Sequence, residues 1–241
     1  MSYDYQENIP SPVSEFKLQE IFTQVMTQVY LWMALGLIVT AVTAVITISS
    51  PFILGLIFSS SFVFWGLIIL ELILVVSITR VAMSVSSNAG LALFFLYAVV
   101  NGLTLSVIFL VYQLGTIVLA FGATAVTFAI LSVIGYTTKQ DLTRWGGILF
   151  GALIGLIIAS VVNIFLASSA LDWVITYAGI LIFMGLTVYD TKRIKGMAYA
   201  LAAQGDTAVV GRVGVLGALR LYLDFINLFL FILRLLGRRR R

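Results

Sequence analysis

Four long stretches without a charged side chain constrain this sequence more than any other feature. They run over Ile21–Leu70, Val81–Thr138, Trp145–Leu171 and Trp173–Tyr189, and each is close to or beyond the roughly 20 residues that cross a bilayer as a helix. Of the 241 residues, 61% are hydrophobic and 10% are charged, whereas an ordinary soluble domain has about 25% charged residues. The sequence therefore predicts an all-α integral membrane protein whose loops are too short to form a soluble domain.

Turn-forming residues divide these stretches into separate spans. Ser49-Ser50-Pro51 interrupts the first stretch and residues 113–116 interrupt the second, because proline and serine favour a turn at such positions. Seven transmembrane helices are predicted in all, near residues 25–48, 52–79, 90–112, 116–136, 145–167, 173–189 and within 213–236.

Basic residues in the short loops predict the orientation, because positively charged loops stay in the cytoplasm during insertion. The amino-terminal segment and the loops after the second, fourth and sixth spans hold Lys17, Arg80, Lys139, Arg144, Lys192, Arg193, Lys195 and Arg212. The alternate loops hold none. We expect a flexible cytoplasmic tail over residues 1–24, a transmembrane domain over 25–236 and, across the membrane, a basic carboxyl tail over 237–241. A re-entrant seventh segment would return that tail to the cytoplasm.

Two missing residue types exclude several chemistries. The sequence has no cysteine, which excludes disulfides, thiolate nucleophiles and zinc-thiolate sites. It has no histidine either, so serine-histidine catalysis and metal-imidazole sites are excluded, and a pH sensor would have to be a carboxylate or another group. The compact, loop-poor and cysteine-free chain is typical of a bacterial inner membrane protein.

Ionisable residues within or at the edges of the spans are the best candidates for function, because each costs several kcal/mol unless it is paired or hydrated. They are Glu71, Arg80, Asp190, Arg220, Asp224 and Arg234. We expect Asp190 to end the sixth span at the cytoplasmic face. If Arg220 reaches that same face, Asp224 lies one turn deeper, about 6 Å away, and the two aspartates could meet.

Each candidate also has a purely structural interpretation. Arg220 and Asp224 are four residues apart on one helix and could neutralise each other. Asp190 precedes a basic cluster and could be an interfacial acid within it. Glu71 paired with Arg80 could hold helices together. The asparagines Asn101, Asn163 and Asn227 are more often formers of interhelical hydrogen bonds than ligands.

Three segments resemble the Bax inhibitor-1 (transmembrane BAX inhibitor motif) family. They are Tyr136-Thr137-Thr138-Lys139-Gln140-Asp141-Leu142, Gly185-Leu186-Thr187-Val188-Tyr189-Asp190-Thr191 and Leu221-Tyr222-Leu223-Asp224-Phe225-Ile226-Asn227-Leu228-Phe229. The resemblance implies seven transmembrane helices, with two layers of three around a central seventh helix. It also implies a pH-sensitive calcium leak through a pair of aspartates that share a proton and are locked by an arginine of the second helix.

Asp190 and Asp224 fall on the motif aspartates, which makes them the expected pH sensor, ion path and calcium ligands. Arg80 is the candidate latch, and Glu71 is a looser candidate for a supporting charge. Elementary electrostatics agrees with a shared proton, because two carboxylates brought close together in a low-dielectric setting cannot both ionise cheaply. Their oxygens suit a hard cation such as calcium, and protonation removes that ligand charge.

Two other functions remain open from the sequence. An intramembrane aspartyl protease also places an aspartate in its sixth span and another in its seventh, but its Gly-x-Gly-Asp motif is replaced here by Leu221-Tyr222-Leu223-Asp224. A modulator of other membrane proteins would leave no recognisable motif. We expect a non-enzymatic protein with the lipid bilayer and transported calcium as partners, no nucleic-acid partner and no permanently bound cofactor.

Overall fold

The computed structural model describes residues 15–84, 86–203 and 208–237. Over these residues the chain forms helices and no strand. The helices are α1 (Glu15–Ser49), α2 (Pro51–Phe58), α3 (Ser61–Ser84), α4 (Ser87–Leu105), α5 (Ile108–Val111), α6 (Leu114–Thr137), α7 (Thr143–Leu166), α8 (Ser169–Ala203) and α9 (Val209–Leu236). The predicted tails lie partly outside the described residues, since 1–14 and 238–241 belong to none of the three ranges.

Seven of these helices are long and apolar enough to cross a membrane, with α4 and α5 together forming one of them. Helices suit such a chain because every backbone amide and carbonyl in the hydrocarbon layer must be satisfied internally. The all-α, seven-helix prediction is therefore confirmed.

The helix ends follow local sequence. Ser50 caps α2 by accepting a hydrogen bond from the Ile53 amide at 3.4 Å, and Pro51 takes the first helical position, where its missing N–H costs nothing. Helix α2 ends at Phe58, and Ser59 and Ser60 separate it from α3. The second span therefore begins at Ser61 and not near residue 52. Ala167 closes α7 with a left-handed backbone (φ 48°), which turns the chain directly into α8.

Helix α9 is the centre of the bundle. In its most apolar stretch 67% of residues are buried, against 6% in α7 and 11% in α3. Helices α1, α3 and α4 pack together as one group, α6, α7 and α8 pack as another, and α9 contacts α1, α3, α4, α6 and α8. The expected arrangement of two three-helix layers around a central seventh helix is confirmed.

One helix is longer than the sequence predicted. The sixth span was expected to end at Tyr189, but α8 continues to Ala203. Lys192, Arg193 and Lys195 do not stop it, because lysine and arginine are good helix formers and their long side chains carry the charge outward. Asp190 therefore lies inside a continuous helix and not at its end.

A glycine of α6 lets that helix approach α8 closely beside Asp190. A Cβ added to Gly135 of α6 would lie 2.6 Å from the carbonyl oxygen of Val188 and 2.9 Å from Thr191 Cβ, both on α8. Because only glycine fits this contact, α6 holds the segment of α8 on either side of Asp190.

Candidate functional site

Asp224 is the most buried carboxylate among the residues whose burial the structure describes. It lies in the middle of α9, is 4% exposed, and has Leu221, Tyr222 and Phe225 as buried neighbours. Its Oδ2 atom is buried without a hydrogen-bond partner among the described residues. A charged carboxylate in such surroundings is expensive unless a proton or a counter-ion neutralises it.

Asp190 approaches this helix from α8. Arg220 of α9 donates a hydrogen bond from Nη1 to Asp190 Oδ1 over 3.2 Å, with side-chain exposures of 33% for the arginine and 12% for the aspartate. Asp190 is also close enough to Asp224 for their charges to interact. Arg220 and Asp224 lie one helical turn apart, about 6 Å along the axis, so the three charged groups form one cluster.

The cluster borders a large cavity. The cavity has a volume of about 1060 Å³ and lies between α3, α7, α8 and α9. Its charged lining comes from Asp190, Arg193, Arg220 and Asp224, whereas much of the remaining wall is apolar, with Leu72, Phe150 and Ile157 among the lining residues. Ser160 and Asn227 add polar groups to the wall. An apolar cavity with a few convergent charged groups is the usual form of a binding or conduction site.

Two positive residues of the cavity have roles that the sequence did not predict. Arg220 makes its hydrogen-bonded ion pair with Asp190 on a neighbouring helix, and its charge also acts on Asp224, one turn along its own helix. Arg193 lies three residues after Asp190, which places it on the same face of α8, and it lines the same cavity. The i, i+3 spacing could have indicated Arg193, but the partner of Arg220 depends on how two helices are rotated against each other.

Arg80, the candidate latch, lies elsewhere. It is near the end of α3, it is exposed, and it is not part of the cavity lining although its neighbour Thr79 is. Over the described residues the cation bonded to Asp190 is Arg220. The latch role of Arg80 stays a prediction.

Glu71 belongs to a separate polar network that joins four helices. It accepts a hydrogen bond from Thr104 Oγ1 of α4 at 2.6 Å. One turn away on α4, Asn101 accepts a hydrogen bond from the Tyr222 hydroxyl of α9 at 3.0 Å, and that hydroxyl also bonds Thr40 of α1. Asn101 is thus an interhelical hydrogen-bond former, whereas Asn227 bonds the Leu223 carbonyl oxygen of its own helix.

Asp141 gives a contrasting, fully exposed carboxylate in the loop before α7. Its Oδ1 accepts hydrogen bonds from the Thr143 hydroxyl at 2.6 Å and the Thr143 amide at 2.9 Å. These bonds favour the charged form and hold the pKa of Asp141 below its usual range. Asp141 therefore anchors the first turn of α7 as a carboxylate.

The carboxylates of the cavity carry oxygen atoms of the kind that a hard cation binds. No group of three histidine, cysteine, aspartate or glutamate side chains that could hold a metal ion occurs among residues 15–84, 86–203 and 208–237. Calcium takes six to eight oxygen ligands, so Asp190 and Asp224 could supply only part of its shell and water or carbonyl oxygens the rest.

Comparisons with known proteins agree with these features. A family model described as "Inhibitor of apoptosis-promoting Bax1" matches residues 22–241. The inner membrane protein YbhL of Escherichia coli is 45% identical over 215 residues, which cover 89% of this chain and 92% of that protein. Proteins of Borreliella burgdorferi (46% identity over 89% of this chain and 92% of the relative) and Rickettsia prowazekii (38% over 98% and 99%) are also similar. None of these names denotes an enzyme.

Proposed function

Because the chain belongs to the Bax inhibitor-1 family, we propose that it is a pH-sensitive leak channel for cations, calcium among them, gated by Asp190 and Asp224. The observation that carries the proposal is the position of both carboxylates on one cavity between α3, α7, α8 and α9, with Asp224 Oδ2 lacking a hydrogen-bond partner among the described residues. The cavity is the candidate path for the ion.

The gating group is the pair of aspartates together. Two buried carboxylates that feel each other's charge cannot both ionise cheaply, so they hold one proton between them and titrate as a unit. Loss of that proton adds a negative charge to the cavity and strengthens its attraction for a cation. Since the chain has no histidine, the carboxylate pair is the group that takes the role of pH sensor.

Arg220 is the restraint on this pair in the present conformation. Its guanidinium neutralises Asp190 and lies where a transported cation would bind, so the cation competes with a positive charge tethered to α9. This assignment gives Arg220 the role that the family resemblance gave to an arginine of the second helix.

The proposed setting is a bacterial inner membrane, as for the E. coli relative, with the amino terminus in the cytoplasm. The helix order supports this orientation, because Arg80, Lys139 and Arg144 lie at or near the ends of spans on one membrane face, and Lys192, Arg193 and Lys195 lie in the carboxyl-terminal part of α8, towards the same face. That face is the cytoplasmic one by the positive-inside rule.

Ion flux into liposomes tests the proposal. Vesicles that contain the purified protein should take up calcium faster than protein-free vesicles, and the double variant Asp190→Asn/Asp224→Asn should return the rate towards the protein-free level. Uptake equal to that of protein-free vesicles at every pH would contradict channel function. Cleavage of a co-reconstituted transmembrane peptide that each single variant abolishes would favour the aspartyl protease instead.

A further inference from the structure

A second cavity lies on the opposite side of α9 from the charged cluster of Asp190, Arg220 and Asp224. It has a volume of about 440 Å³ between α1 and α6. Apolar side chains dominate its lining, among them Met33, Ala125, Phe128, Ala129, Val133 and Phe225. Ala129 and Val133 are exposed on the outer surface of the bundle, so the groove between α1 and α6 is open to the membrane.

One polar group within the groove lacks a partner. Ser132 lines the groove, is 5% exposed, and has an Oγ atom without a hydrogen-bond partner among the described residues. Serines in helices commonly bond the carbonyl four residues earlier, as Ser160 does with Leu156 at 2.7 Å. Because this Oγ atom is itself buried, the surface that the groove presents to the membrane is almost entirely apolar, as a hydrocarbon chain requires.

A positive charge stands at the end of the groove. The groove ends at Tyr136, whose ring lies 5.2 Å from that of Phe22. Lys195 Nζ lies 5.2 Å from the Phe22 ring and 5.3 Å from the Tyr136 ring, and donates a long hydrogen bond of 3.5 Å to the Tyr136 carbonyl oxygen. Two aromatic faces thus hold the ammonium beside the last turn of α6, where the apolar span ends.

We propose that this groove holds one acyl chain of an anionic phospholipid, whose phosphate binds Lys195. An apolar trough capped by a basic group between transmembrane helices is the arrangement that recognises anionic headgroups. The positive charge of Lys195 at the end of the groove selects this occupant, because an anionic headgroup can pair with the ammonium while its acyl chain lies along the apolar lining.

Lipid retention by the full-length protein in detergent tests the proposal, and the test is independent of ion conduction. Native mass spectrometry and thermal shift would compare phosphatidylglycerol with phosphatidylcholine of the same acyl chains. We expect wild type to bind phosphatidylglycerol about fivefold more tightly, the effect of one well-placed basic residue at the membrane surface. Lys195→Gln should remove this preference, and Ala129→Phe, which fills the groove, should weaken the binding of both lipids.

Lys139→Gln is the matched control, because it removes the same charge from an exposed loop position beyond α6 and should keep the full preference. The proposal is wrong if Lys195→Gln retains the wild-type preference, if Lys139→Gln loses it equally, or if Ala129→Phe binds phosphatidylglycerol as tightly as wild type. Soluble glycerol phosphate should not stabilise the protein. Stabilisation by glycerol phosphate equal to that by phosphatidylglycerol would show a phosphate site without a role for the groove.

Discussion

Two aspartates of the chain show how strongly the surroundings of a carboxylate decide its behaviour. Asp141 is exposed, and hydrogen bonds from Thr143 lower its pKa. The stabilisation it gives to the start of α7 is therefore present at neutral pH and is lost only as the pH falls through that lowered pKa. Asp224 instead lies buried beside Asp190 and Arg220. We accordingly expect any pH response near neutrality to come from the buried pair and not from Asp141.

Replacement of Arg220 by glutamine tests the restraint at the level of one residue. The change removes the guanidinium that bonds Asp190 at 3.2 Å and leaves two carboxylates without that counter-charge, so the cavity should attract cations more strongly. We expect calcium leak at neutral pH to rise severalfold in liposomes with Arg220→Gln.

Arg80→Gln is the matched control for this prediction, since it removes an equal charge from an exposed position outside the cavity lining. Its leak should stay much closer to the wild-type rate. An increase with Arg80→Gln and none with Arg220→Gln would return the latch role to Arg80.

At the level of helices, the sequence predicts the number and position of the spans much better than it predicts which side chains bond to each other. The break at Ser49-Ser50-Pro51 and the seven spans follow from residue type alone, because hydrocarbon length and turn propensity act locally. The continuation of α8 through Lys192, Arg193 and Lys195 was missed, since charge was read as the end of the span. The bond from Arg220 to Asp190 joins α9 to α8. Whether Arg220 bonds Asp190 or Asp224 depends on how the two helices are rotated against each other, and the sequence does not give this rotation.

The contact between α6 and α8 gives a prediction at this scale. In Gly135→Ala the new Cβ would meet the Val188 carbonyl oxygen at 2.6 Å and Thr191 Cβ at 2.9 Å, so α6 and α8 must move apart. We expect the free energy of unfolding in detergent micelles to fall by about 1–3 kcal/mol, as for other overpacked cores. Because Val188 and Thr191 lie on either side of Asp190, calcium leak should change as well.

Gly151→Ala is the control for this substitution, because a Cβ at Gly151 of α7 has no neighbour within 4 Å. Its free energy of unfolding should change by less than about 1 kcal/mol in either direction. Because alanine is a better helix former than glycine, helix propensity alone would stabilise both variants. Equal destabilisation by both substitutions would therefore contradict the assignment of the effect to the close approach of α6 to α8.

At the scale of the whole molecule, the number of spans fixes the relation of the two termini. If each of the seven candidate spans crosses the membrane, the amino and carboxyl termini lie on opposite faces, and in the proposed orientation the amino terminus is the cytoplasmic one. Alkaline phosphatase fused after Arg241 in a bacterial host should therefore be active, whereas a fluorescent protein fused there should stay dark. The reverse pattern would show that α9 does not cross the membrane in the cell.

The pH profile of calcium uptake tests the central claim most directly. Liposomes with wild type, Asp190→Asn, Asp224→Asn and the loop control Asp141→Asn would be compared between about pH 5 and 8, the range that a proton-sharing carboxylate pair can span. We predict that uptake by wild type and Asp141→Asn varies with pH in the same way, whereas either cavity variant flattens the profile because the shared proton is gone. A pH profile that is unchanged in both Asp190→Asn and Asp224→Asn would contradict gating by the aspartate pair.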